Sequence, residues 1–102
     1  MIKHIVLWRL ADKGQGATKD ENAQRMKVAI ESLAETVPFV REIEVGIDIE
    51  GSDAAWDVVL YSAFDSVEDL AAYQAHPEHL KVRDLVSSLT VERAVIDYET
   101  GE

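Results

Sequence analysis

The sequence predicts an α+β fold: a ferredoxin-like βαββαβ subunit built on a four-stranded antiparallel sheet. Three observations carry this. Apolar residues switch between alternating and helical spacing in the order strand, helix, strand, strand, helix pair, strand, which is the split βαβ arrangement. Right-handed crossovers in that order put strands one and three at the centre of the sheet and strands two and four at its edges. Strands one and three are the ones that are apolar on both sides, while strand two alternates. Helices cover only one face of such a sheet, so the large apolar side chains on its other face need a second cover.

Ile2–Leu10 is the first strand. Ile2, Val6, Trp8 and Leu10 share one face, and Ile5 and Leu7 the other; a strand apolar on both faces is buried on both. Residues 12–17, with Gly14 and Gly16, read as a flexible connection. Thr18 and Glu21 have the spacing of a capping box, in which hydroxyl and carboxylate each accept from an otherwise free backbone N–H. Ala23, Met26, Ile30, Leu33 and Val37 then make one apolar stripe. Pro38 pushes Val37 out of helical geometry and ends the helix.

Residues 39–50 alternate. Ile43, Val45, Ile47 and Ile49 lie on one face, and Glu42, Glu44, Asp48 and Glu50 on the other. This suits a half-exposed edge strand whose charges resist edge-to-edge aggregation. Gly51, Ser52 and Asp53 mark a turn. In the third strand, 56–64, Trp56, Val58, Leu60 and Phe64 oppose Val59, Tyr61 and Ala63. Ser66, with Asp69 three residues on, starts the next helix, and Val67, Leu70 and Tyr73 point inward. That helix breaks at His76 and Pro77, and proline suits the opening of a new one because its missing N–H is not needed there. His79, Val82, Val86 and Leu89 follow at helical spacing. Thr90–Glu99 is the fourth strand, with mixed faces. The expected organisation is one domain over 1–99 and a short tail at 100–102.

A chain of 102 residues makes one modest core, and domains of that size leave much apolar surface uncovered. The cheapest cover for the open sheet face is the same face of a second copy, so a homodimer closing into an α+β barrel is expected. The chain carries 10 basic and 20 acidic side chains, a net charge of −10. That balance excludes nucleic acid and anionic membrane surfaces as main partners, since both call for clustered Lys and Arg. Without cysteine there are no disulfides, thiolate nucleophiles, Fe–S clusters or Cys-ligated zinc. The opening MIKHIVLWRL is too short and too broken by charge for a signal peptide, and no run of about 18 apolar residues occurs. A cytoplasmic location is expected.

Groups able to move protons concentrate in one segment. Tyr73, His76 and His79 stand at three-residue intervals. His79 continues the stripe of Val82 and Val86, so its imidazole, with an ordinary pKa near 6.5, can act as a general base facing the core. The Tyr73 phenol can donate a hydrogen bond to a developing enolate. These two are the candidate catalytic residues. His76, and His4 on the first strand at the parity of Trp8, are candidate ligand-binding residues. A structural reading stands beside this one: His76 caps a helix, His79 is a satisfied core histidine, and His4 sits at the strand mouth. No metal site is expected, because His76 and His79 share no helical face with a third ligand and neither HExxH nor an EF-hand loop occurs. No cofactor is expected either, in the absence of GxGxxG or a P-loop.

Four blocks carry a family resemblance: Ile2-Lys3-His4-Ile5-Val6-Leu7, Tyr61-Ser62-Ala63-Phe64-Asp65-Ser66, Tyr73-Gln74-Ala75-His76-Pro77-Glu78-His79 and Glu92-Arg93-Ala94-Val95-Ile96-Asp97-Tyr98. Together they span about the whole of 1–99, and the chain resembles the stress-responsive A/B barrel (Dabb) family. The resemblance implies a dimeric α+β barrel of ferredoxin-like subunits. It implies no single reaction, since many members look like small proteins without one. In the family's catalytic branch, plant polyketide cyclases, a histidine base and an assisting tyrosine close a linear polyketide by aldol chemistry. Those roles match His79 and Tyr73 by position, and His4 matches a third pocket residue.

The expected function is a homodimer whose barrel pocket takes a small, largely apolar ligand. If it is an enzyme, the reaction is proton abstraction beside a carbonyl, a cyclisation or isomerisation without cofactor. The alternatives are a non-enzymatic stress or assembly protein and a cofactor-free monooxygenase, the latter on fold analogy alone.

Overall fold

The structure, a computed structural model, describes residues 1–101; of the tail expected at 100–102, Glu102 lies outside the described residues. The chain runs β1 (Ile2–Leu10), β2 (Lys13–Gly14), β3 (Ala17–Thr18), α1 (Lys19–Glu31), α2 (Leu33–Thr36), β4 (Glu42–Ile47), β5 (Val58–Phe64), α3 (Val67–Ala75), α4 (Pro77–Leu89) and β6 (Thr90–Glu99). The main sheet is antiparallel in the order β4-β5-β1-β6. The two strands apolar on both sides are therefore central, as expected from their patterning.

Local signals act where the sequence places them. The Thr18 hydroxyl accepts from the Glu21 N–H, and Glu21 accepts in return from the Thr18 N–H. Ser66 accepts from the Asp69 N–H at the start of α3. Pro77 opens α4. The stripe of Ala23, Met26, Ile30, Leu33 and Val37 is fully buried. It packs with Val6, Trp8, Leu60 and Val86 on one side of the sheet, and with Phe64, Leu70 and Tyr73 further along it.

Several details differ from the sequence reading. Residues 12–17 are not a loose connection: β2 and β3 form a small hairpin turning at Gln15 and Gly16, both at positive φ. The first long helix does not run unbroken to Val37. It ends at Ser32, whose hydroxyl donates to the Ala29 carbonyl, and a short second helix then reaches Thr36. Val37 is extended, as the following proline requires. The edge strand is only Glu42–Ile47, so Ile49 is 94% exposed instead of facing the core. Val67, expected to point inward, is 62% exposed at the first turn of α3.

Cross-strand register sorts the two faces. On the helix side, His4 stands between Ser62 and Asp97, and Val6 between Leu60 and Val95. On the other side, Ile5 stands between Tyr61 and Ile96, and Leu7 between Val59 and Ala94. Ile5, Leu7, Val59 and Tyr61 are half-buried, while Ile96 and Tyr98 are exposed. No element among the described residues covers this second face.

Candidate functional site

A cavity of about 350 Å³ lies between the helix side of the sheet and α4. Its walls are mostly apolar, with Val6, Trp8, Leu60, Val82 and Val86 among them, and its polar groups include His4, Tyr73 and His79. The size and the small number of convergent polar groups are those of a small-molecule site. Two elements bring the three side chains together. β1 supplies His4 from the sheet. The break between α3 and α4 lets the end of one helix and the start of the next contribute Tyr73 and His79.

Tyr73 is 1% exposed. Its ring lies against Phe64 on one side, with centroids 5.0 Å apart, and against His79 on the other, at 4.6 Å. His4 meets it edge-on at 6.4 Å. Burial alone pushes the Tyr73 hydroxyl up to about 12, since a phenolate would have to form away from water. The side chain is therefore a hydrogen-bond donor across the neutral range.

His79 is the third residue of α4, and its Nδ1 is buried without a partner in hydrogen-bonding geometry. Burial lowers its pKa below 6.5. The nearby Gln74 carbonyl opposes that shift, and His4, Arg83 and Arg93 add to it. The ring thus meets at most the Gln74 carbonyl, and a neutral imidazole then keeps one nitrogen able to accept a proton.

His4 is 2% exposed, and its Nδ1 lies 2.5 Å from Asp97 Oδ1. The register makes this pair, because the two residues are directly opposed on one face of β1 and β6. A carboxylate only accepts, so Nδ1 is the ring nitrogen that carries a proton in this pair. The Ser62 hydroxyl, fully buried, donates to the His4 carbonyl at 2.8 Å and helps hold the strand there.

His76 is not brought to this cavity. It is the N-cap of α4: its Nδ1 accepts from the Glu78 N–H at 3.1 Å, and its own N–H donates to the Tyr73 carbonyl at 3.1 Å. Its expected place as a ligand-binding residue thus gives way to the capping role. Asp97, Arg83 and Arg93 were not singled out from the sequence. Arg83 had a signal, since it stands four residues from His79 on one helical face. Asp97 and Arg93 had none, because strand register cannot be read from one sequence. Among the described residues, no group of three or more His, Asp or Glu side chains could hold a metal ion. Nor is any helix among the described residues long and apolar enough to cross a membrane.

The βαββαβ topology, the uncovered sheet face and a cavity on the helix side define a ferredoxin-like subunit of the A/B-barrel class. The chain belongs to the stress-responsive A/B barrel domain (Dabb) family, whose model matches residues 2–100. A dimeric protein of unknown function and ferredoxin-like fold from Bacteroides fragilis is 35% identical, superposes with a TM-score of 0.86, and is covered to 95% by 97% of this chain. Olivetolic acid cyclase from Cannabis sativa is 23% identical over 99 residues, 95% of this chain and 94% of the cyclase. Hydroxynitrile lyase from Passiflora edulis shares the fold at 19% identity and a TM-score of 0.82, over 99% of this chain and 94% of the lyase.

Proposed function

We propose that this protein is a homodimer whose cavity binds a small, largely apolar carbonyl compound and removes a proton from the carbon beside the carbonyl. The observation that carries the reading is the His79 imidazole, its buried Nδ1 without a well-aligned hydrogen bond, in a largely apolar cavity that Tyr73 also lines. The neutral imidazole accepts the proton. The C–H electron pair moves into the new C–C double bond, and the carbonyl π electrons move to oxygen. Tyr73 donates a hydrogen bond to that oxygen, stabilising charge only as it develops. His4, its ring fixed by Asp97, lines the same space and orients the ligand. Protonated His79 then returns its proton to product, so no cofactor enters the cycle. The named relatives fit such chemistry in kind, a cyclase and a lyase. The open sheet face and the dimeric Bacteroides fragilis protein support the homodimer.

The test is exchange of the α-protons of 2-octanone for deuterium in D2O, followed by NMR. The expected result is acceleration over buffer by the protein and its loss in His79→Asn, with the folded state and the oligomer retained. No acceleration, or equal acceleration by the variant, overturns His79 as the base. Unfolding of His79→Asn, with Tyr73→Phe fully active, points instead to a structural histidine.

A further inference from the structure

We infer that the ligand of this cavity carries a carboxylate, held at the cavity mouth by Arg83 and Arg93. The inference rests on reading the cavity as a ligand site and goes beyond it by assigning the ligand's charge. The chain has twice as many acidic as basic side chains, 20 against 10. The cavity wall inverts that ratio: it includes Arg83 and Arg93 and no Asp or Glu. Both arginines are exposed while lining the cavity, which places them at its opening, with the apolar walls behind.

The other arginines have work elsewhere. Arg41 is paired with Asp65, Arg25 with Asn22 and Gln15, and Arg9 lies over the Trp56 ring near Glu92. Arg83 has only a marginal contact with its chain neighbour Asp84, at 3.5 Å between two exposed groups. Arg93 forms no ion pair among the described residues, although it stands on a strand beside Glu92. Two guanidinium groups from different elements, α4 and β6, thus line one apolar space with most of their donors unused. A guanidinium presents a planar fork that matches a carboxylate in bidentate geometry. A cleft with one sign of charge on low-dielectric walls concentrates ligands of the other sign. The ligand that satisfies both parts of the site has an apolar body inside and an anionic end at the mouth.

Octanoate and octanamide are suitable probes, because they share a chain and differ in charge near neutral pH. The measurements are isothermal titration calorimetry at low and high salt and NOEs from ligand to protein methyl groups. The expected result is NOEs to Val82 and Val86, with octanoate bound about tenfold or more tightly than octanamide and the preference shrinking with salt. The double variant Arg83→Gln/Arg93→Gln loses the preference and keeps octanamide affinity; both positions are exposed, so the fold is unaffected. Equal binding of the two probes overturns the carboxylate and leaves the cavity reading standing. A preference undiminished in the double variant places the anion elsewhere and also overturns it. Binding of neither probe, or binding without NOEs to Val82 and Val86, overturns the cavity reading and this inference with it.

Discussion

Tyr73 and His79 face each other across the joint of α3 and α4, with ring centroids 4.6 Å apart and planes inclined by 57°. The two rings are partly withdrawn from water together, and that withdrawal moves their pKa values in opposite directions: the phenol up to about 12 and the imidazole below 6.5. Both shifts favour the uncharged form. The imidazole thus stays uncharged to lower pH than an ordinary histidine, beside a phenol that keeps its proton.

The pH dependence follows from that relationship. For the proposed reaction the acid limb of kcat/KM reports protonation of His79 in the free protein, so that limb lies at lower pH than an ordinary histidine would place it. Stability shares the sign. The unfolded chain binds the His79 proton at a higher pH than the folded one, so the contribution is fully present above the unfolded value near 6.5 and is lost as pH falls toward the folded value. Melting curves across this range check it: His79→Gln removes part of the acid loss, and an unchanged pH profile refutes the assignment.

Replacing Tyr73 separates its two roles. Tyr73→Phe keeps the ring that packs on Phe64 and His79, and the hydroxyl it deletes is shifted by desolvation alone. Its stability therefore changes by less than about 1 kcal/mol. Turnover falls about 10²-fold or more, the scale of losing one donor to an oxyanion. Tyr73→Ala leaves a cavity and costs roughly 3–5 kcal/mol. Thermal denaturation with steady-state kinetics checks both, and a Tyr73→Phe enzyme of normal kcat refutes the donor role.

How far the sequence reached depends on what kind of signal each feature leaves. Thr18, Ser66 and Pro77 act through neighbours within three residues, so their caps were legible, and the alternation of β1 and β5 identified the central strands. The cavity was half legible: helical spacing aligned His79 with Val82 and Val86, but the His4–Asp97 pair depends on the β1–β6 register, which local pattern does not encode. The break at Ser32 was hidden because its apolar stripe continues through it. Ile49 kept the alternating pattern of β4 after the strand had ended, so periodicity alone overran the pairing.

His76 supplies a control within the same segment. Its ring accepts from the Glu78 N–H and lies outside the cavity. His76→Ala costs about 0.5–2 kcal/mol through loss of the cap. His76→Asn, a good N-cap residue, restores most of it. Both variants keep the affinity for octanoate and the turnover of the parent once corrected for folded fraction. Denaturant unfolding and calorimetry check this; loss of ligand affinity in a fully folded His76→Asn would return His76 to the site.

The proposed homodimer makes a separate demand on the open sheet face. Ile5 stands there between Tyr61 and Ile96 at the middle of the sheet, where a partner's face would bury it. Ile5→Asp puts a carboxylate in that layer with no cation assigned to it, and an unpaired buried charge costs several kcal/mol. Dissociation of the dimer is then expected to rise by about 10²-fold or more. Val28→Asp is the matched control, since Val28 is 70% exposed on α1 and lies on the helix side of the subunit. Sedimentation velocity across a dilution series distinguishes them: parent and Val28→Asp sediment as dimers, and Ile5→Asp as a monomer that remains folded by circular dichroism. A parent that sediments as a monomer at every concentration refutes the dimer, and the open face must then be covered by something other than a second copy.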